Sequence, residues 1–258
     1  MVAIPFLLAA PACGAADQGR HLAEQVYNRP VGDDASTHAK MTLSDNGHAP
    51  RIRDMYTYRL KKGPGVVWSL IRFVSPPSID GTGLLTKDSS GTETAQWVYL
   101  PALDKVRRIS SSRKGGRFVG SDFFYEDLRD RPVDEDTHRI VGKESVGGVV
   151  CEKLESIPVD ADNSVYTKRI QWIDPKTLIA LRVDYYQGGA QPVKRLLVRR
   201  VEKVEGYDTV VDSVMTDLGS GHKTRIHVET VTYKHPLPDM LFTRRALSDP
   251  EFESRYRP

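Results

Sequence analysis

Residues 100–128, LPALDKVRRISSSRKGGRFVGSDFFYEDL, combine basic, hydroxyl-bearing, aromatic and acidic side chains within one short stretch. Asp122 and Glu126 would lie one helical turn apart here, which could bring two carboxylates together for acid–base catalysis, as in a hydrolase. A short turn capped at Ser121 explains the same two residues without catalysis. We favour the capped turn and predict that the protein is not an enzyme.

The other residue types used in catalysis or metal binding are scattered along the sequence. The seven histidines show no H-E-x-x-H spacing and the two cysteines, Cys13 and Cys151, form no C-x-x-C pair, so the usual zinc and haem signatures are missing. No G-x-S-x-G elbow occurs. Cys151 lies in the strand-like sequence GGVVCEKLE and is predicted to be buried and unreactive. We therefore expect neither a metal nor a cofactor.

Six basic residues in this stretch are candidates for binding an anionic surface: Lys105, Arg107, Arg108, Arg113, Lys114 and Arg117. Nucleic-acid binders normally carry a large basic excess, whereas this chain balances 37 basic against 34 acidic residues, a net charge of +3. We therefore expect no nucleic-acid partner. Two interpretations remain open: a solvated loop without a partner, or a surface that makes transient contact with anionic membrane lipids or with an acidic patch on an exporter.

The elements that must position these residues are mostly strands. From about residue 38 onward, apolar and polar residues alternate in a series of short segments, such as THAKMTLSD and RIRDMYTYRL, separated by turn-forming residues. About eleven strands follow one another with almost no helix between them, so the sheet must be largely antiparallel. A sheet of this size curls strongly and encloses one face. No break in composition divides the chain, which predicts one mainly β domain over residues 17–258.

Two short helices are predicted at the ends of this domain. Asp17 can cap the first, whose apolar stripe is formed by Leu22, Ala23, Val26 and Tyr27 and which ends before Pro30. At the carboxyl end, Ser248 and Glu251 match a capping box, followed by Phe252 and Tyr256 at i, i+4 spacing.

The first residues, MVAIPFLLAAPACGAADQGR, have the apolar run and small-residue end of a secretory signal peptide. We predict a signal over residues 1–16 with cleavage before Asp17, truncated at its basic head because no Lys or Arg precedes Arg20. An apolar strand is the alternative. A lipid anchor on Cys13 is disfavoured because Ala10-Pro11-Ala12 is a poor lead-in.

Two strands, VVWSLIRFV and AQWVYL, are apolar on both faces, so one face can pack in the sheet wall while the other lines a concave cavity. The predicted apolar lining comprises Trp68, Leu70, Phe73, Trp97 and Tyr99. Phe123 and Phe124 are expected to fold back over the sheet as part of a lid. The alternation leaves a second possibility open, in which the same side chains fill an ordinary core.

Several longer stretches resemble one known family: LAEQVYNRP, MTLSDNG, RFVSPPSIDGTGLLT, QWVYLPALDKVRRISSSRKGGRFVGSDFFYEDL and DMLFTRRAL. They are similar to the LolA-like outer membrane lipoprotein-sorting proteins, from about Arg20 to Leu247. The resemblance implies an open, strongly curved antiparallel half-barrel whose concave apolar face is covered by helices. It implies a periplasmic carrier of lipids or lipoprotein acyl chains, often associated with RND-type exporters. It transfers no ligand-binding or catalytic residue to this sequence.

Two functions are therefore expected. The first is a periplasmic carrier that binds a lipid or an acylated lipoprotein in its concave cavity, working with an RND-type exporter or in outer-membrane sorting. The alternative is an interaction module with a filled core that docks on an inner-membrane exporter.

Overall fold

The computed structural model describes residues 13–45, 47–91, 94–110 and 113–258, with side chains from Asp17 onward. Within these residues, thirteen strands form one antiparallel sheet, two strands more than the sequence predicted. The strands are β1 (Asp34–Ser44), β2 (Arg51–Gly63), β3 (Val66–Ser75), β4 (Gly83–Ser89), β5 (Ala95–Leu100), β6 (Lys105–Arg108), β7 (Asp136–Val146), β8 (Val149–Pro158), β9 (Lys168–Ile173), β10 (Ala180–Tyr186), β11 (Lys194–Val204), β12 (Tyr207–Asp217) and β13 (Lys223–Tyr233). The mainly β, antiparallel fold is confirmed.

The order of the strands explains how the sheet can curve without closing. It runs β6-β5-β4-β3-β2-β1-β13-β12-β11-β10-β9-β8-β7, so the pairing of β1 with β13 joins two meanders. The two edge strands, β6 and β7, follow each other in the chain. Their connection, residues 109–135, must therefore pass from one edge of the sheet to the other. We call it the crossing segment; its residues 111 and 112 lie outside the described part.

The crossing segment packs against both halves of the sheet, which identifies the side it lies on as the concave, inner face. Phe118 joins a cluster with Met41, Met55 and Phe73 from the first half. Phe123 joins a second cluster with Met215 from the other half. Burial of these apolar side chains from both meanders holds the open sheet in its curved shape.

Helix α1 (Cys13–Tyr27) covers the remaining part of the inner face, over β7 and β8. Leu22 and Ala23 are buried against Leu154 and Ile173, as the predicted apolar stripe requires. The helix begins earlier than the predicted start at Asp17. It lies very close to β7, because a Cβ atom at Gly19 would be only 2.6 Å from the carbonyl oxygen of His138.

The carboxyl-terminal residues 237–257 cover the opposite, outer face of β2 to β5. They include α2 (Arg244–Leu247) and α3 (Pro250–Ser254), which confirms the predicted terminal helix. The cap of α3 is Asp249, whose carboxylate accepts from the amide of Phe252, and not the predicted Ser248. Strands β3 and β5 are apolar on both sides because the crossing segment covers one face and this terminal segment the other.

The predicted signal peptide, residues 1–16, falls outside the described residues at its first twelve positions, and the backbone of 13–16 forms the start of α1. Across the ranges that the structure describes, no helix is both long and apolar enough to span a membrane. Cys151 is fully buried in β8, as predicted, and burial raises the pKa of its thiol.

Candidate functional site

The seven residues predicted to line the cavity are divided between the two faces of the sheet. Strand register places Leu70 beside Tyr58 and Leu85, on the outer face, where Trp68, Trp97 and Tyr99 also lie. These four predicted residues pack against the carboxyl-terminal segment, with the Trp68 ring 6.2 Å from that of Phe242. They contribute to the outer core.

Phe73, Phe123 and Phe124 lie on the inner face, where they fill space between the sheet and the crossing segment. The ring of Phe73 is 5.6 Å from that of Phe118. Phe124 stacks on Tyr166 at 6.1 Å. The crossing segment therefore acts as a plug over much of the concave face.

A cavity of about 550 Å³ remains on the inner face between α1, the crossing segment and the sheet. Its apolar surface is formed by Ala23, Val26, Val31, Ala35, Pro132, Val133, Val210 and Tyr233, and its charged surface by Arg29, Arg59, Glu126, Asp127, Arg129, Asp130, Arg131, Asp136, Arg169 and Asp208. In the described part of the chain, none of the seven predicted lining residues and none of the six basic candidates borders it. The cavity is amphipathic, whereas the sequence predicted an apolar one.

The charged wall comes largely from the sequence EDLRDRPVDED, which spans the end of the crossing segment and the first residue of β7, Asp136. Its acidic residues pair with bases on the far half of the sheet. Asp127 accepts hydrogen bonds from the Lys194 ammonium and, at 2.8 Å, from the Tyr166 hydroxyl. Both partners of the Asp127–Lys194 pair are almost completely buried. Burial raises the pKa of Asp127 and lowers that of Lys194, each opposed by the charge of the other.

The next pairs continue this network along the inner wall. Glu126 accepts hydrogen bonds from the Ser164 hydroxyl and the backbone amide of Val165. Asp136 is bound by two guanidinium groups: its Oδ1 is 2.7 Å from Arg169 Nη2 and 3.0 Å from Arg131 Nη2. Such pairs are costly to break, because removing one partner leaves a buried charge. They fix the crossing segment in one position.

Arg129, from the cavity wall, forms a buried ion pair with Asp88. The side chain of Arg129 is 0% exposed, and its Nε is 3.4 Å from Asp88 while its Nη2 is 2.8 Å from Glu135. Asp88 also accepts from the Thr94 hydroxyl at 2.7 Å and the backbone amide of Asp130 at 2.7 Å. Burial raises the pKa of Asp88 despite these donors.

The more exposed end of the cavity lies where α1 ends. Arg59 on β2 pairs with Asp130 at 2.9 Å, and their side chains are 28% and 34% exposed. Arg29 donates to the carbonyl oxygen of Asp208 at 3.2 Å. Burial lowers the pKa of Arg29, and Arg59 lowers it further. Burial also raises the pKa of Tyr27 to about 12, with Asp130 adding to the effect. These groups all border the same cavity.

The six basic candidates fall into two groups. Five of them, Lys105, Arg107, Arg108, Arg113 and Arg117, are exposed. Lys105, Arg107 and Arg108 lie on edge strand β6, where charge also discourages pairing with another sheet. Lys114 is buried and donates to Asn163. Arg117 pairs with Asp122 at 2.9 Å and with Asp217. The last two residues hold the crossing segment in place.

Asp122 and Glu126, the carboxylates considered for acid–base chemistry, occupy separate networks. Asp122 is bound by His222 at 2.6 Å and Thr224 at 2.7 Å, besides Arg117. Its side chain is 0% exposed, and that of Glu126 1%. Both carboxylates serve as anchors of the crossing segment, and a 3-10 helix, Glu126–Leu128, begins at the second of them.

His138 on β7 gives the cavity wall a pH dependence. Its Nε2 donates to the carbonyl of Val133 at 2.8 Å and its Nδ1 accepts from the Ser156 hydroxyl at 3.0 Å, an arrangement that suits the neutral ring. Burial lowers the pKa of His138 below its usual 6.5. Histidine in the unfolded chain binds a proton near pH 6.5, so the stabilisation present at pH 7.5 is lost as pH falls.

When the pH falls from 7.5 to 5.5, we expect the free energy of unfolding of His138→Gln to decrease by about 1 kcal/mol less than that of the wild type. Urea unfolding at the two pH values measures the difference, and His48→Gln, whose side chain is 79% exposed, is the matched control. Equal losses in the wild type and His138→Gln would contradict the role given to burial.

Taken together, an open antiparallel half-barrel with a plug across its concave face and a cavity beneath it defines a LolA-like fold. Comparisons with known proteins agree. The structure matches, with a TM-score of 0.84 and 32% identity, a DUF1329 family protein from Desulfovibrio piger, covering 90% of this chain and 99% of that one. It matches, with a TM-score of 0.85 and 28% identity over the same shares, a domain from Vibrio parahaemolyticus described as an outer membrane lipoprotein-sorting protein.

A LolA superfamily protein from Nitrosomonas europaea matches with a TM-score of 0.69 and 18% identity, covering 90% of this chain and 99% of that one, which supports the fold alone. A family model described as an uncharacterized protein matches residues 65–249. No curated protein matches the sequence. This chain belongs to the DUF1329 family and has the LolA-like fold.

Proposed function

We propose that the protein is a periplasmic, non-catalytic carrier that binds a lipid or a lipoprotein acyl chain in the cavity beneath the crossing segment. The observation that carries this proposal is the 550 Å³ cavity on the concave face. Its volume falls in the usual range for sites of small molecules. The description of the Vibrio relative as a lipoprotein-sorting domain adds support.

The cavity can accommodate both parts of an amphiphile. Val26 and Ala23 from α1, Val133 from the crossing segment and Val210 from β12 offer apolar contacts to a chain. Burying each methylene of an acyl chain is worth about 0.8 kcal/mol before the cost of association. The charged side chains on the same wall are placed to contact a polar end.

Delivery to or from a membrane would use the exposed basic residues Lys105, Arg107, Arg108 and Arg113. Each basic residue near an anionic leaflet contributes about 1 kcal/mol of binding free energy. None of the three matched structures named above is described with a transporter, so the RND-type exporter remains a prediction from the sequence. An interaction module with a filled core is the alternative function, and the presence of the cavity favours the carrier.

Filling the cavity tests the carrier proposal directly. Val210→Trp places a large ring among the lining residues, and we expect it to weaken binding of a fluorescent fatty acid about tenfold or more, a loss of about 1.4 kcal/mol. Fluorescence titration of the purified protein measures the affinity, and native mass spectrometry shows any lipid retained from the periplasm.

The matched control is Val150→Trp, which makes the same change at a side chain in β8 that is 58% exposed and does not border the cavity. Its affinity should equal that of the wild type. A wild-type protein that neither retains lipid nor binds the probe would contradict the carrier function and favour the interaction module.

A further inference from the structure

Three hydrogen-bond donors in the cavity wall have no acceptor among the described residues. They are the hydroxyl of Tyr27, Nη1 of Arg59 and Nη1 of Arg129, all of them buried atoms. All three residues border the same cavity. Buried polar atoms nearly always have a partner in native proteins, so three unsatisfied donors around one space indicate a missing acceptor.

Arg129 gives the strongest evidence for a missing acceptor, because its side chain is 0% exposed and its other guanidinium nitrogens are already hydrogen-bonded. Its Nε and Nη2 are held by Asp88, Thr94 and Glu135. The orientation of Nη1 is therefore set by the rigid planar guanidinium. An unsatisfied charged donor in such a position costs more free energy than a neutral one, so its presence favours a specific ligand over empty space.

Arg29 adds a further cationic group at the same end of the cavity. It donates to the carbonyl oxygen of Asp208, and within the described ranges it forms no ion pair with a carboxylate. Arg59, whose charge lowers the pKa of Arg29, places a second guanidinium on the wall of the same cavity.

The carboxylates nearby do not supply the missing acceptor. Asp130 is paired with Nη2 of Arg59, and Asp88 already accepts from Thr94, the Asp130 amide and Arg129. Acidic and basic groups are close to balanced around the cavity. What distinguishes the site is three unsatisfied donors on residues that line one cavity, and guanidinium donors pair best with carboxylate or phosphate oxygens.

We propose that the cavity binds an anionic oxygen group, a phosphate or a carboxylate, between the guanidinium groups of Arg29, Arg59 and Arg129. The hydroxyl of Tyr27 would donate a further hydrogen bond. If the carrier function proposed above holds, on which the choice of ligand rests, this group is the head of an acylated amphiphile whose chain lies along Val26 and Val133. A free inorganic anion has the same chemistry and is the other source to test.

The experiment compares three probes on the full chain: myristate, the neutral 1-tetradecanol of equal chain length, and inorganic phosphate. The two amphiphiles are measured by displacement of a fluorescent fatty acid analogue, and phosphate by calorimetry. Arg29→Gln and Arg59→Gln are the test variants, because Arg129→Gln would leave Asp88 buried without its base. Arg51→Gln, an exposed position on the same strand as Arg59, is the control. Thermal unfolding verifies that each variant is folded.

We expect wild-type protein to bind myristate at least about tenfold more tightly than tetradecanol. Arg29→Gln and Arg59→Gln should remove this preference, and Arg51→Gln should keep it. If the wild type binds phosphate but neither amphiphile, and the two test variants lose phosphate binding, the anion site would be supported and the carrier function overturned. Equal affinity for myristate and tetradecanol without phosphate binding would overturn the anion site and leave the carrier function. Binding of no probe would overturn both.

Discussion

Replacing Lys194 by methionine is expected to lower the free energy of unfolding by about 3–5 kcal/mol. The substitution keeps the length of the side chain but leaves the Asp127 carboxylate without its base, at a position where both side chains are almost completely buried. The Lys194 ammonium also lies 3.6 Å from the centre of the Phe124 ring, and this contact is lost as well. Urea unfolding followed by circular dichroism measures the change.

The double variant Lys194→Met, Asp127→Asn separates the cost of an unpaired charge from that of lost packing. It should recover a large part of the stability, because the neutral amide can still accept from Tyr166. Lys143→Met, which breaks a pair whose lysine side chain is 67% exposed, should change stability by no more than about 1 kcal/mol. A single variant as stable as the surface control would show that the buried pair does not hold the crossing segment.

The strands were predictable because their alternation is local. Each run of apolar residues at every second position has to bury one face, and the sequence shows this in β1 and β2 without reference to any partner. The short strand β6 has no such alternation: its sequence KVRR is almost entirely basic, and its pairing with β5 is what makes it a strand.

Part of the lining prediction was inconsistent with strand geometry. Leu70 and Phe73 are three positions apart on one strand, so their side chains must point to opposite faces unless a bulge intervenes. The structure places Leu70 under the carboxyl-terminal segment and Phe73 under the crossing segment. Both faces of the strand are apolar because each is covered by another segment. From the sequence of the strand alone, this arrangement cannot be told apart from a strand with one face lining a cavity.

The cavity itself could not be found from local sequence patterns. Its donors come from α1, from β2 and from the crossing segment, and only the long passage from β6 to β7 brings them together. One signal was present: the sequence EDLRDRPVDED places eight charged residues in eleven positions next to a buried aromatic cluster. Such a charged run between two edge strands has to be buried if it crosses the concave face, and then every charge needs a partner.

Phe118→Ala is expected to destabilise the protein by about 3–5 kcal/mol, the usual cost of truncating a fully buried phenylalanine. Phe118 is 0% exposed and its ring is 5.7 Å from that of Tyr125, within the crossing segment, and 5.6 Å from that of Phe73 on β3. The neighbouring carbonyl of Val119 accepts from Arg53 at 2.5 Å, so loss of the ring weakens the contact of the whole turn with β2.

Phe118→Ala should open the crossing segment more than it opens the rest of the sheet, and hydrogen exchange can show this. Amides of residues 113–135 in Phe118→Ala should lose more protection than those of β8, because the ring anchors the crossing segment while β8 is held by β7 and β9 on either side. Met240→Ala, which removes a side chain that is 65% exposed, should change stability by less than about 0.5 kcal/mol. Equal loss of protection in the crossing segment and in β8 would mean that the plug and the sheet open as one unit, and ligand entry would then require opening of the sheet itself.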